Sequence, residues 1–164
     1  MQWLPVPIFS STSYKVLSIV LSRLGAQILP SIMKKIAKGD YNMISQNHQK
    51  ASYANKIEKK EARINWNNSA QEIDCQIRGL YGYMDVYFKH QDKKIAIIEA
   101  QIEKNTQIFA FNQKNVGMVL DEELSILCRS GVLKPKIVKK EGKKAIPIEE
   151  FLKGNKIRKG DVVS

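Results

Sequence analysis

From about Thr12 to Lys38, apolar residues recur at Leu17, Leu21, Leu24, Ile28, Ile32 and Ile36. Steps of three and four draw a stripe down one face of a helix. Pro30 lacks a backbone donor and disfavours helix at Leu29, so a kink or break is expected there, while Gly39 suits the far end. One helix cannot bury such a stripe on itself, so the stripe needs a partner surface. Asp40 to Lys56 is polar and without period, the composition of a linker. Ser69-Ala70-Gln71-Glu72 spells a capping box: the hydroxyl accepts from the Glu72 N–H and the Glu72 carboxylate reaches back. Ala70, Ile73, Ile77 and Leu80 continue from it at helical spacing, which leaves Asp74 and Arg78 for other contacts.

After Gly82 the period changes. Short runs bounded by turn residues, Val86 to Phe88, Ile95 to Ala100, Gly117 to Leu120, Leu124 to Cys128 and Val132 to Val138, read as strands. Pro135 is then expected at an edge or a bulge. Pro147 to Lys153 reads as a last short helix that buries Ile148, Phe151 and Leu152 and stops at Gly154. Five short strands with no long helix between them suggest a small barrel or sandwich, and the oligonucleotide-binding barrel is one such solution. The expected class is α+β, mainly β: a helical segment over residues 1–40, a linker over 41–57, and an oligonucleotide-binding-like β-barrel with short helices over 58–164.

Charge changes the picture more than composition does. The 164 residues carry 27 Lys and Arg against 16 Asp and Glu, a formal charge of +11, so a polyanion, and nucleic acid first, is the partner to consider. The competing reading is a solvated lysine-rich surface. Cys75 and Cys128 stand far apart without metal-ligand spacing, so neither a zinc site nor a disulfide framework is expected, and a reducing cytoplasm fits. The opening Met1 to Pro7 has no basic run and two prolines, which argues against a secretory signal. The apolar stretch Val16 to Leu29 is interrupted by Ser18, Ser22, Arg23 and Gln27, so neither a membrane span nor a membrane partner is expected.

The run Ala51 to Trp66, ASYANKIEKKEARINW, resembles the segment "TYAxKIxKEEARIDW" of methionyl-tRNA formyltransferases, which joins their catalytic and carboxyl-terminal domains. Ser69-Ala70 with Ile77-Arg78 is similar to that family's "SAxxIxxxIRA". Glu141 to Ala145 and Glu150 to Gly154 are similar to "GKKAMxxxEFLxG", and Gly25 to Leu29 to "GAxLL" of the preceding helix. The resemblance covers nearly everything beyond Thr12. It implies that the first helix is the last of a catalytic domain, and that the barrel helps to hold initiator methionyl-tRNA while formyltetrahydrofolate donates the formyl group. The family's Ser-Leu-Leu-Pro loop and catalytic Asn, His and Asp belong to an amino-terminal domain and have no counterpart in this sequence. No catalytic residue, cofactor or metal is therefore assigned to this chain, and it is expected to be inactive alone. His48 and His90 are taken as surface residues. Where the family commonly reads "NPWPGAY", this chain has Tyr81 to Tyr87, YGYMDVY, so that loop is expected to differ in shape.

For tRNA binding, the densest basic run is Lys134, Lys136, Lys139, Lys140, Lys143 and Lys144. A second cluster is Lys56, Lys59, Lys60 and Arg63, tempered by Glu58 and Glu61, and Arg78 joins the candidates from the helix with the capping box. The alternative for each is a solvated face. Tyr81, Tyr83 and Tyr87 could stack on bases but are expected to fill the barrel wall or its mouth, and Trp66 is expected in the core. Three readings stay open: a tRNA-binding remnant, a subunit completed by a separate catalytic-domain chain that docks on residues 17 to 36, and an interaction module or decayed product that no longer binds RNA.

Overall fold

The computed structural model describes residues 4–103 and 115–164, so Met1 to Trp3, part of the segment read as lacking a secretory signal, lie outside it. Two units are distinguished, Met1–Ile57 and Glu58–Ser164.

The first unit is built on helix α1, Tyr14–Ala37, whose N-cap Ser13 accepts from the Val16 N–H at 3.4 Å. Lys38 caps the other end, followed by Gly39 at φ 73. The break considered at Pro30 is absent, and the helix runs through it. Proline's φ is itself helical; its cost is the bond its own nitrogen would have made together with the crowding of its ring against the carbonyl four residues back. The Ser31 hydroxyl adds a bond to the Ile28 carbonyl at 2.8 Å. The helix has 24 residues and is long and apolar enough, by length and composition alone, to cross a bilayer. No residue of α1 is buried. Leu17, Leu24, Ile28 and Ile32 of its stripe are half-covered, whereas Leu21 and Ile36 are exposed. Residues 41–57 hold a single 3-10 turn, His48–Lys50, capped by the Asn47 carboxamide.

The second unit opens on another capped turn. The Glu58 N–H donates to Glu61 Oε1 at 2.6 Å and Lys59–Ala62 form one 3-10 turn. The chain then extends, with Ala62, Ile64 and Trp66 buried and Arg63 and Asn65 exposed, the alternation of an extended segment lying on a core. Helix α2, Ala70–Leu80, starts at the expected capping box: Ser69 Oγ accepts from the Glu72 N–H at 3.2 Å and Glu72 accepts from the Ser69 N–H at 2.7 Å. Ala70, Ile73, Ile77 and Leu80 are its buried side, and each of the three larger ones contributes about 1.5–3 kcal/mol by leaving water. Asp74 and Arg78 are used by each other, at 2.8 Å.

Strands β1 (Tyr87–His90), β2 (Lys93–Glu103), β3 (Ile126–Leu127), β4 (Val132–Lys140) and β5 (Ala145–Pro147) form one antiparallel sheet in the order β1-β2-β4-β3, with β5 also on β4. Gln91 and Asp92, at φ 48 and 62, make the two-residue turn of the β1–β2 hairpin. The β2–β4 ladder shifts register twice, leaving Ile98 and Lys136 out of the pairing. Pro135 sits beside the second shift, opposite Ala100, where a bulge tolerates its missing donor. Inner positions of both strands, with α2, Trp66, Phe88 and Phe151 of helix α3 (Ile148–Lys153), form the core. Trp66 and Phe88 meet edge to face, centroids 6.0 Å apart.

The ladders of this sheet do not close a barrel among the described residues, since β1 and β3 do not pair. The strand expected over Gly117 to Leu120 is reduced to isolated bridges, Met118 to Val162 and Val119 to Ile126. Asp121 accounts for that: its carboxylate accepts the N–H groups of Glu123 and Ser125, each at 2.9 Å, and turns the chain before a ladder can grow. At the other edge, Arg63 bridges Tyr87, and Lys89 and Ser164 exchange backbone hydrogen bonds.

Two outcomes follow from these contacts. A Cβ on Gly117, at φ 83, would lie 2.5 Å from the Val163 carbonyl oxygen and 3.1 Å from the Trp66 ring, whereas one on Gly142, at φ 71, meets nothing within 4 Å. Gly117→Ala is expected to cost about 3 kcal/mol or more and Gly142→Ala about 1 kcal/mol in urea denaturation; equal losses would contradict the close approach. Asp161 is held below the ordinary carboxylate range, first by the Arg158 N–H and then by His90. A depressed folded pKa stabilises above the unfolded value of about 3.9 and is lost as pH falls through the folded one. Asp161→Asn should therefore lower the melting temperature at neutral pH, with the gap to the parent chain closing in strong acid.

Candidate nucleic-acid interface

Register decides which lysines share a face. Tyr87 pairs with Ala96 and Ala96 with Lys139, while Lys89 pairs with Lys94 two positions along. Side chains alternate across a sheet, so Tyr87, Lys89, Lys94 and Lys139 stand on the outer face, opposite the core side chains Phe88, Ile95, Ile97 and Val138. On this face lies a cleft of about 350 Å³, lined by Lys59, Lys94, Lys139 and Lys140 with Tyr87, Asp85 and Glu141. Its four lysines outnumber its two carboxylates. Lys94 Nζ lies 5.2 Å from the centre of the Tyr87 ring and Lys139 Nζ 2.6 Å from Asp85 Oδ2. Lys140 Nζ lies 5.6 Å from the centre of the Phe151 ring. Lys89 and Lys94 stand directly opposite one another, and like charges so placed weaken a sheet.

Of the residues singled out from the sequence, this cleft brings together Lys59, Lys139 and Lys140. Lys143 and Lys144 follow the Glu141-Gly142 turn and are exposed. Lys136 falls at the register shift, half-buried. Lys134 is turned to other work: its side chain is 16% exposed and ion-paired with Glu123 and, at 3.7 Å, with Glu103. Arg78 is bound to Asp74, which raises its pKa. Lys60 pairs with Glu58 at 2.7 Å, Arg63 lies exposed on the extended segment, and Lys56 belongs to the other unit.

Lys94 is a residue of the cleft that the sequence reading misses. The signal is present: Lys93-Lys94-Ile95-Ala96-Ile97 alternates, and a core Ile95 puts Lys94 outside. His90 corrects another expectation, because its side chain is only 11% exposed and its Nε2 lies 3.2 Å from Asp161 Oδ2. Tyr81 and Tyr83 are exposed rather than set in a wall, and Tyr87 is half-buried at the cleft. Trp66 is in the core at 4% exposure. Burial pushes the Cys128 thiol up to about 12, leaving it unreactive, while Cys75 is exposed. No group of three or more His, Cys, Asp and Glu among the described residues could hold a metal ion.

The family described as "Formyl transferase, C-terminal domain" matches residues 56–156. Among curated proteins, a methionyl-tRNA formyltransferase of Rickettsia massiliae is 39% identical over 142 residues, 87% of this chain and 45% of that protein. One from Rickettsia canadensis is 38% identical over 152 residues, 93% of this chain and 48% of that protein. The chain thus spans about half the length of the curated relatives it matches. Among solved structures, a multiply substituted variant of HypX from Aquifex aeolicus superposes with a TM-score of 0.59 at 16% identity, over 97% of this chain and 31% of HypX. A complex of HypX with tetrahydrofolic acid gives 0.55 at 16%, over 82% and 24%. That likeness speaks to fold. The 3-10 turn Lys59–Ala62, the capped helix α2 and the final helix α3 all fall within the matched residues, and on that ground the chain belongs to the family of formyl transferase carboxyl-terminal domains, as found in methionyl-tRNA formyltransferases.

Proposed function

We propose that the Glu58–Ser164 unit binds initiator methionyl-tRNA in the cytoplasm through the cleft on its outer sheet face, and that this is its part in formyl transfer from formyltetrahydrofolate. The observation that carries the reading is that Lys59, Lys94, Lys139 and Lys140, from three separate segments, line one cleft with Tyr87. Lysines against phosphate supply affinity through counterion release, and a half-buried tyrosine beside them offers a stacking face for an unpaired base. The backbone bonds that continue from β3 through Val119, Val162 and Ser164 to Lys89 support an oligonucleotide-binding barrel, partly open. The chemistry of formyl transfer is then left to groups that this chain does not contribute.

A second reading is favoured by α1, none of whose residues is buried. In it, a separate catalytic-domain chain docks on that helix and restores transferase activity. Mixing the chain with an isolated amino-terminal domain of a Rickettsia relative and assaying formyl-methionyl-tRNA would show activity above either part alone; no gain would dismiss it.

Anisotropy titration against initiator methionyl-tRNA at several salt concentrations tests the first reading. Binding should weaken steeply with salt, and replacing Lys59, Lys94, Lys139 and Lys140 by Ala should lower affinity at least about tenfold and flatten the salt slope. A salt-insensitive or absent interaction would leave a module that does not bind RNA. Asp85→Asn removes the carboxylate held on Lys139 and should tighten binding by a few-fold, about 0.5–1 kcal/mol. Lys134→Ala, on a lysine already paired with Glu123, should leave affinity unchanged in the same titration.

A further inference from the structure

The core face of the sheet has a basic mouth of its own. His90 pairs with Lys93 across the β1–β2 hairpin, and Ile95 with Lys140 across β2 and β4. These residues therefore share the inner face with Phe88, at the end where the apolar core stops. There, a second cleft of about 320 Å³ is lined by His90, Lys93, Ile95, Lys140, Asn155 and Lys156, together with neighbouring backbone. Among the described residues no carboxylate lines it, and none lies within ion-pair distance of Lys93, Lys140 or Lys156. Asp161 meets the imidazole at 3.2 Å from His90 Nε2 and also accepts the Arg158 N–H at 2.9 Å.

Three lysines lining one concavity that no carboxylate lines favour an anion there. The volume is about ten times that of a water molecule in the liquid, room for a phosphate group with part of what carries it. We propose that this second cleft is a phosphate-binding site, with Lys93, Lys140 and Lys156 as its cationic ligands. Asn155, whose Nδ2 donates one hydrogen to the Phe151 carbonyl at 2.6 Å, has a second to offer as a neutral donor. Lys140 lines both clefts. An anion here is therefore next to, and distinct from, one held on the outer face, and the two together make a track around the strand end. The site stands whether or not the outer cleft binds tRNA.

The test is a titration of the full chain with inorganic pyrophosphate at constant ionic strength, read by amide chemical shifts. Saturable shifts at Gln91, Lys93, Asn155 and Lys156 are expected. Lys93→Ala with Lys156→Ala should weaken them at least about tenfold, while Lys59→Ala with Lys94→Ala should leave them unchanged. Non-saturating shifts spread over all surface lysines, or none at the cleft, would overturn the proposal, and that readout on the parent chain does not depend on the variants folding. A second arm compares short oligonucleotides with and without a 5′-phosphate. Loss of affinity in the Lys93, Lys156 variant for both identifies a phosphodiester as the natural occupant, and loss confined to the phosphorylated one identifies a terminal phosphate.

Discussion

The pairing of β2 with β4 is the constraint on which the second unit rests. From Ile95 opposite Lys140 to Glu103 opposite Val132, it is the long ladder of the sheet, and both faces inherit their chemistry from it. On the inner side it lines up Ile95, Ile97, Ala100 and Ile102 with Leu133, Pro135 and Val138, where α2 and Phe151 cover them. On the outer side it delivers Lys139 to Ala96 and, through β1, to Tyr87 and Lys94. The apolar term stabilises the ladder, and the ladder in turn holds like charges at a separation they would not choose in a free chain.

The edges of that sheet are held by single bonds rather than strands. Ile64 donates to the Tyr87 carbonyl at 2.8 Å, Ser164 exchanges bonds with Lys89, and Gln76 Nε2 reaches back to the Glu61 carbonyl at 2.6 Å. The last contact matters for the outer cleft, because it fixes the turn carrying Lys59 to α2. Lys59 is thereby placed by the folded unit and not by the polar stretch that precedes it.

Much of this is legible in the sequence where the signal is local. The Ser69–Glu72 box, the buried side of α2, the Pro147-to-Gly154 bounds of the last helix and a core Trp66 each follow from residues within one or two turns of each other. What escapes is long-range or cancelled locally. Pro30 reads as a helix breaker, yet its φ is helical and the helix continues through it despite the lost donor and the crowding of its ring against the preceding turn. Gly117 to Leu120 has strand composition, but the Asp121 carboxylate captures the N–H groups a ladder would need. His90 looks like a turn residue until Asp161, far along the chain, covers it. Lys94 eludes a search for runs of charge, because a sheet gathers charge across strands.

The two register shifts in the central ladder act as a matched pair. In β2 the inward set changes from odd positions, Ile95 and Ile97, to even ones, Ala100 and Ile102; in β4 it changes from Leu133 and Pro135 to Val138. Ile98 supplies the extra residue on one strand and Lys136 on the other. Straightening either bulge alone, with its residue kept in the ladder, would exchange inside for outside at every later position of that strand. Drawing both residues into the ladder would keep Ala100 opposite Pro135 but turn both outward, so the pair of bulges is what keeps the two inward sets facing one another along the whole ladder.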